Sequence, residues 1–459
     1  MAERPVAQRQ GTAPPPARGE ASARVLRGDA IDVLSSLPDG LAQTCITSPP
    51  YWGLRDYGVA PRIWGGEQSC RHRWGTGERG RRKDLLPFEQ SRSRGRLGRD
   101  GRQGAAGLQG GCFCRRCGAW KGCLGLEPDP DLYVSHLVAV IRELRRVLRE
   151  DGTLWLVLGD SFAANRSYQV RDRKRGEPGG PLPAQVPQAL KPKDLVGIPW
   201  RVAFALQADG WWLRSDIVWA KPNAMPESVS DRPTRAHELV FLLSKSRRYF
   251  YDAEAVREGD QGRRSGNGFK RPERLTYGGA DEPRGQDFEW VGGAGRNRRS
   301  VWTVPTQCFK GAHFATFPEA LVEPCLLAGS SPVACRACGA PWRRVVDARR
   351  LLDGEREITG SWTQADKLSS GRALQATGFG HWRVEVQRQT VGWEASCEHD
   401  EPGGRCTVLD PFAGAATAGL VAQRHGRDFL GIELSSAYAH MARRRLQEAG
   451  QRAAREDTR

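Results

Sequence analysis

The sequence predicts an α/β fold, and three stretches carry that prediction. Near the N-terminus a short strand over Arg24–Asp29, an amphipathic helical run over Ile31–Leu37 and an apolar strand ending at Ile46 follow one another closely. In the middle, a helix expected over Asp131–Glu150 runs into an apolar strand over Thr153–Leu158. Near the C-terminus a strand over Cys406–Asp410 leads through a turn of small residues to a helix reaching Arg424, and Arg427–Glu433 reads as one more strand. Strand, helix and strand recurring at this spacing mark a sheet covered by helices.

Each element has a local cause. Residues 1–23 are rich in Pro, Ala, Arg and Gln and read as a disordered tail. Pro38-Asp39-Gly40 closes the first helix, and the strand after it stops at Thr47-Ser48-Pro49-Pro50-Tyr51-Trp52. Two successive prolines neither donate to a ladder nor continue as a helix. Residues 53–75 read as loop, and the Arg- and Gly-rich run 76–110 as a solvated segment able to contact a polyanion. In the 131–150 helix Leu132, His136, Leu137, Val140, Ile141, Leu144, Val147 and Leu148 recur every three or four positions. Residues 163–190 are Pro/Gly-rich loop, followed by a helix over Pro199–Ala208 and a strand over Trp211–Ala220 that Lys221-Pro222 stops. Glu238–Leu243 and Tyr249–Tyr251 read as two further strands, a hairpin around Ser244–Arg248. Residues 252–300 are basic and poor in core residues, Val301–Val304 leads to a helix near Pro318–Ala328, and 335–399 read as irregular. Ser435–Glu448 is expected to be helical, with the stretch from 449 on a frayed tail.

The net charge is +17, from 70 Lys and Arg against 53 Asp and Glu. That balance favours a polyanionic partner. A membrane is the weaker choice, because the sequence holds no apolar run of about 18 residues and no signal core. A cytoplasmic location follows as the expectation. Six of the 12 cysteines fall in Cys-x-x-Cys or Cys-x-His clusters, and Cys112 lies beside one of them. In a reducing compartment such spacing points to metal before disulfides.

Two motifs carry the chemistry. Ser48 to Trp52 presents a hydroxyl and a carbonyl on a stiff elbow beside aromatic rings, which suits a flat ring bearing an amine. Asp410 to Gly419 is a strand end, a small-residue turn and a helix start, where a ligand can approach the backbone. Glu433 follows Gly414 by about twenty residues at the next strand end, a position suited to ribose hydroxyls. The turn lacks the full G-x-G-x-x-G pattern and any phosphate-cradling Lys loop, so a nucleoside carrying a carboxylate, S-adenosylmethionine, fits better than a dinucleotide.

In this order the motifs resemble the DNA amino-methyltransferase family in its permuted, beta-type arrangement, with the catalytic motif ahead of the cofactor motif. Ser48-Pro49-Pro50-Tyr51 is similar to the family's catalytic tetrad, within the TSPPYW stretch. Asp410-Pro411-Phe412-Ala413-Gly414 resembles its cofactor loop, Glu433 its ribose acid, and Gly28-Asp29 its acid beside the cofactor adenine. The segment His313–Leu321 is similar to the one packing over the methionine end, and Trp219–Pro222 and Arg235–Phe241 resemble family strands. The likeness covers most of residues 24–60, 125–250 and 301–450, and departs at Ala416, where a second Gly is common. It implies a Rossmann-like S-adenosylmethionine methyltransferase sheet with permuted motif order, to which the cysteine spacing adds irregular zinc-knuckle insertions. It implies a catalytic half (24–60 and 125–250), a cofactor half (301–334 and 400–448) and target recognition in 252–300. It also implies duplex DNA as substrate, with a flipped base as the acceptor.

Chemistry alone leaves cytosine N4 and adenine N6 both open. Ser at the first tetrad position is, by the resemblance, the cytosine-N4 form. The alternatives are an adenine-N6 enzyme and a zinc-containing DNA-binding protein without activity. The family leaves room for a cognate restriction endonuclease, and no stretch of this chain resembles one.

Cys70-x-His72 with Cys114-x-x-Cys117 supplies four tetrahedral ligands, and Cys335-x-x-Cys338 with Cys397-x-His399 supplies four more. Four such ligands with no open position mean structural zinc, which would pin insertions too poor in apolar residues to hold themselves. Cys112 is an alternative to Cys114, and the half-sites could also pair across. The insertions assigned to the two sites are 61–124 and 335–399.

Overall fold

A computed structural model describes residues 14, 20–53, 57–75, 111–163, 190–259, 288–291, 295–307, 317–352, 356–357, 382–399 and 401–456. Most of the expected N-terminal tail, the Arg-rich run 76–110, residues 260–287 of the expected recognition region, Cys308 and His313 lie outside them. The chain divides into two compact units. One comprises 19–251, 300–332 and 405–459, the other 1–18, 252–299 and 333–404.

The first unit is built on an eight-stranded sheet. In chain order its strands include β1 (Ala23–Arg27) and β2 (Ala42–Thr47). The small strands β3 (Arg62–Trp64), β4 (Cys112–Phe113) and β5 (Trp120–Gly122) form a separate antiparallel sheet, in the order β3-β5-β4. The large sheet continues with β6 (Leu148–Leu158), β7 (Trp212–Ala220) and β8 (His237–Ser244). It is completed by β10 (Val301–Thr303), β14 (Thr407–Asp410) and β15 (Asp428–Glu433). The spatial order is β1-β15-β14-β2-β6-β8-β7-β10. Every pairing is parallel except those of β8, which opposes both β6 and β7. This is the mixed α/β sheet that the strand–helix rhythm predicts.

All six residues of β2 are buried, as a central parallel strand covered on both faces requires. Helix α1 (Ala30–Ser36) is capped by Asp29, which accepts from Ile31 N. Helix α2 (Pro130–Val147) is capped by Asp129 and buries Tyr133, Leu137, Val140, Ile141, Leu144 and Val147. It ends before the expected Glu150, because Leu148 turns extended and pairs with Ala42. Helices α3 (Ile198–Ala208), α4 (Glu319–Gly329) and α5 (Thr417–Arg424) follow as expected. Helix α6 (Ser436–Glu456) continues into the stretch read as a tail. No strand forms at Tyr249–Tyr251: β8 already has a partner on each edge, and Phe250 N donates to Asp151 O instead (2.9 Å). Among the described residues no helix is long and apolar enough to cross a membrane.

The second unit is less irregular than its composition suggests. Strands β11 (Arg343–Leu352) and β13 (Trp382–Glu394) form a long antiparallel pair with an irregularity at Val345/Val346. β12 (Arg356–Glu357) and β9 (Phe288–Val291) flank them, in the order β12-β11-β13-β9. Residues 252–299 and 333–404 are therefore one body. Arg344 stitches it, with Nε 3.1 Å from Asp252 Oδ1, Nη2 3.0 Å from Oδ2, and its guanidinium 4.5 Å from the Trp393 ring.

Candidate active site

The order of the sheet reverses between β14 and β2. From β14 the chain moves through α5 to β15 on one side, and from β2 through α2 to β6 on the other. Loops leaving two such strands diverge and open a crevice at their carboxyl ends. Both motifs leave from there. The Thr47 hydroxyl donates to Asp410 Oδ1 at 2.6 Å, joining residues 363 positions apart.

Each expected base-contact residue is held by its neighbours. Ser48 is half-buried and Pro49 buried. Tyr133 from α2 donates its hydroxyl to the Pro50 carbonyl (2.9 Å). The Tyr51 hydroxyl donates to Glu238 Oε2 (2.8 Å), and Glu238 pairs with Lys221. A Cβ on Gly159 would stand 2.6 Å from Tyr51 Cε2, so the ring lies directly on that backbone. Burial, and then the Glu238 charge, push the Tyr51 phenol well above its ordinary range, while the Ser48 hydroxyl bonded to it pulls the other way. Tyr51 is thus a neutral donor with a fixed ring plane.

The expected cofactor residues lie along the same edge. Asp410 is 1% exposed, and its Oδ1 also accepts from Phe412 N (3.0 Å). Burial pushes this carboxyl up to about 7, against the pull of the Thr47 and Phe412 donors. Glu433 Oε2 accepts from Gly414 N (2.8 Å) and Oε1 from Ser435 N (2.7 Å). Burial raises its pKa, opposed by those N–H groups. Asp29 stands where β1 ends beside β15; its Oδ1 accepts from Ile31 N (3.0 Å) and from Arg62 (2.8 Å). Pro411 follows Asp410 in the turn; Ala416, at φ 55, takes the left-handed conformation for which Gly is the usual residue. Each carboxylate oxygen has two lone pairs, so Glu433 retains acceptor capacity for hydroxyls after holding the loop. Two carboxyls at this crevice and a third nearby disfavour a pyrophosphate and suit a nucleoside bearing positive charge.

Tyr133 carries no motif, and Thr47, Lys221 and Glu238 lie within TSPPYW, Trp219–Pro222 and Arg235–Phe241 without a role assigned to them in the sequence. A strand-end rule finds Lys221, which closes a strand before Pro222. Glu238 is found only once β8 is known to run backwards, which brings its N-terminal end to this edge.

Both expected metal clusters assemble. The ligand atoms of Cys70, His72, Cys114 and Cys117 lie within 4.8 Å of one another, as do those of Cys335, Cys338, Cys397 and His399. Pairing is within each set, and Cys114 rather than Cys112 faces the first. Gly118 N donates to Cys114 O (3.0 Å) and Gly339 N to Cys335 O (2.8 Å), both glycines at positive φ. Burial opposes ionisation of Cys114, yet N–H groups of Cys117 and Arg116 pull its thiol down to about 5. Cys335 is lowered in the same way against its burial. Cys45 is buried in β2 and Cys406 just before β14, with Cys406 pushed up to about 12 by burial.

Comparison with known proteins places these features in a family. The profile of the N6/N4 DNA methylases matches residues 42–336. The chain is 34% identical to the type II methyltransferase M.Cfr9I of Citrobacter freundii, over 93% of this chain and 88% of that one. Against M.XycI of Xanthomonas campestris pv. cyanopsidis the identity is 34%, over 92% and 87%. Against M.SmaI of Serratia marcescens it is 30%, over 93% and 91%. The solved PvuII DNA methyltransferase (cytosine-N4-specific) aligns over 94% of this chain and 88% of that one at 13% identity and a TM-score of 0.42, a distance at which it bears on neither substrate nor site. With the profile spanning well over half the chain and its relatives aligned nearly end to end, the chain belongs to the S-adenosylmethionine-dependent N6/N4 DNA methylase family.

Proposed function

We propose that the protein methylates the exocyclic N4 amine of a cytosine flipped out of duplex DNA. The observation that carries this reading is the 2.6 Å bond from Thr47 to Asp410, which holds the start of the base motif against the start of the cofactor loop. Asp410, Pro411, Phe412, Gly414, Glu433 and Asp29 would hold S-adenosylmethionine, with Glu433 on the ribose and Asp29 towards the adenine. When bound, that cofactor supplies an electrophilic methyl group on a sulfonium.

The residues of the chain supply alignment. Ser48 Oγ and the Pro49 carbonyl accept the two amine hydrogens, which draws the nitrogen out of conjugation and directs its lone pair at the methyl carbon. As it gains the methyl group the amine would give up one proton along its hydrogen bond to Ser48 Oγ, and from there to solvent. Tyr51, fixed by Gly159 and Glu238, gives the flipped ring a stacking face. A serine, neutral and able to accept, favours cytosine N4 over adenine N6 by the family pattern. The mechanism uses no thiol, in keeping with Cys45 being buried. The two Cys₃His clusters would hold structural zinc, and the body formed by 252–299 and 333–404 would carry target recognition.

Nucleoside mass spectrometry of host DNA tests the base: N4-methylcytosine is expected, and N6-methyladenine alone overturns the assignment. Ser48→Ala is expected to lower kcat by about 10²-fold or more while DNA still binds. Unchanged methylation in that variant would remove Ser48 from the site.

A further inference from the structure

We infer that the Cys70–His72–Cys114–Cys117 cluster is a zinc site whose task is to hold the base-binding loop, acting through the buried pair Glu127–His136. The inference rests on the reading of Ser48–Tyr51 as the base-contact residues.

The cluster geometry fits zinc and not a disulfide. Cys70 Sγ and Cys114 Sγ are 4.0 Å apart, and Cys117 Sγ is 3.4 Å from His72 Nδ1. A disulfide needs about 2.05 Å, whereas ligands about 2.0–2.3 Å from a tetrahedral zinc stand roughly 3.5–3.8 Å apart. The surrounding backbone is moulded to the cluster: a Cβ on Gly66 would lie 2.8 Å from Cys117 Sγ. The sheet that carries the ligands has strands of two or three residues, too short to persist without a staple.

From that sheet a continuous set of contacts leads to the loop. Trp64 on β3 and Trp120 on β5 both stack on the His136 imidazole, with centroids at 4.4 and 5.4 Å. His136 Nδ1 is 3.0 Å from Glu127 Oε1, and the Glu127 side chain is fully buried. The other oxygen of Glu127 accepts from Gly125 N (2.8 Å), and its main-chain carbonyl accepts from Trp52 Nε1 (2.9 Å). Gly125 O takes Gly53 N (2.8 Å), and a Cβ at Gly125 would meet Tyr51 O at 3.1 Å and Pro50 Cβ at 3.2 Å. Tyr51, Trp52 and Gly53 are thus bonded to, or seated against, a segment whose one buried carboxylate is oriented by His136. His136 is in turn held by the two tryptophans of the knuckle. Glu127 and His136 are positioning residues; neither is placed to touch the base.

The cofactor crevice is supported mainly from elsewhere, by β14, β15 and α5; its one tie to the knuckle's sheet described above, Arg62 on β3 to Asp29 (2.8 Å), is a partly exposed ion pair worth little, so loss of the knuckle bears chiefly on the base half of the site. The test uses full-length protein. Cys117→Ser is expected to lose one equivalent of zinc relative to wild type, to keep S-adenosylmethionine affinity within about 2-fold by calorimetry, and to lower kcat at least 10-fold. Fluorescence of 2-aminopurine at the target position, which reports base flipping, should fall in parallel. Glu127→Gln should retain the zinc and the cofactor affinity and still lower kcat and the flipping signal. Full zinc content with cofactor binding lost in Cys117→Ser, or zinc lost with kcat and flipping intact, overturns the inference. So does wild-type kcat in Glu127→Gln. If the Ser48–Tyr51 reading were the one at fault, Ser48→Ala would methylate normally while the zinc results stood unchanged.

Discussion

The carboxyl edge of the large sheet and the body built from 252–299 and 333–404 are held by different means. The sheet buries a continuous core on both faces, from Leu34, Cys45 and Ile46 to Trp155, Phe241 and Leu409, so the strands that carry its site rest on packing. The other body buries a cluster of Val333, Trp342 and Trp393 with Ala395 against it, and leans on Arg344 and four metal-ligand side chains. Small apolar clusters supply little stability, and a structural metal is one of the few ways to add it. Where packing suffices, side chains are free for chemistry. Where it does not, Cys and His placed as metal ligands would hold the chain.

The largest effect that could break this contrast is metal removal. A bound structural zinc contributes on the order of 10 kcal/mol to folding such modules. Chelation is therefore expected to abolish amide protection in residues 335–342 and in β4 and β5, while β2, β14 and β15 keep theirs, as read by hydrogen exchange. Retained protection in the knuckles would mean that packing holds them too.

The next effect acts on the sheet edge alone. A methyl at Gly159, just past the end of β6, would stand 2.6 Å from the Tyr51 ring, so the ring or the backbone must shift. Gly159→Ala is expected to lower kcat about 10²-fold, or about 2.7 kcal/mol, with zinc content and cofactor affinity unchanged. A normal kcat would show that the ring plane is not what the site depends on.

These regions also differed in how far they could be read from the sequence. The sheet was legible because buried parallel strands are short apolar runs, and because its ligand-facing residues sit at strand ends marked by Pro, Gly and acid. The cysteine pairs were legible through ligand spacing, which fixes the half-sites; which half meets which needed the fold. The long β11/β13 pair was missed, since stretches such as Arg343–Leu352 mix Arg, Asp and Val without clean alternation. The supporting shell of Tyr133, Glu127, Glu238 and Lys221 was missed for another reason. Its members lie tens to hundreds of positions from the motif they hold, and only the antiparallel course of β8 and the descent of α2 bring them there.

The last effect, spread over several pH units, concerns a cost that the packed sheet carries at Asp410. Asp410 has a carboxyl pushed up to about 7 by burial, although Thr47 and Phe412 both donate to it. An unfolded chain titrates the same group near about 3.9. Between those values the folded protein keeps a proton that the unfolded chain has lost. Stability therefore falls as pH rises, by at most about 1.4 kcal/mol per unit, and the effect is flat above 7. Asp410→Asn keeps an acceptor for both donors and removes the titration. In urea melts from pH 5 to 8 the variant is expected to gain on wild type up to about 7 and then run parallel to it. A constant gap would show the acid already ionised and the sheet edge free of this cost. A cationic cofactor favours the ionised form, so saturating S-adenosylmethionine should flatten the wild-type slope and leave the variant's unchanged. That would tie the strain at Asp410 to the ligand it is built to receive.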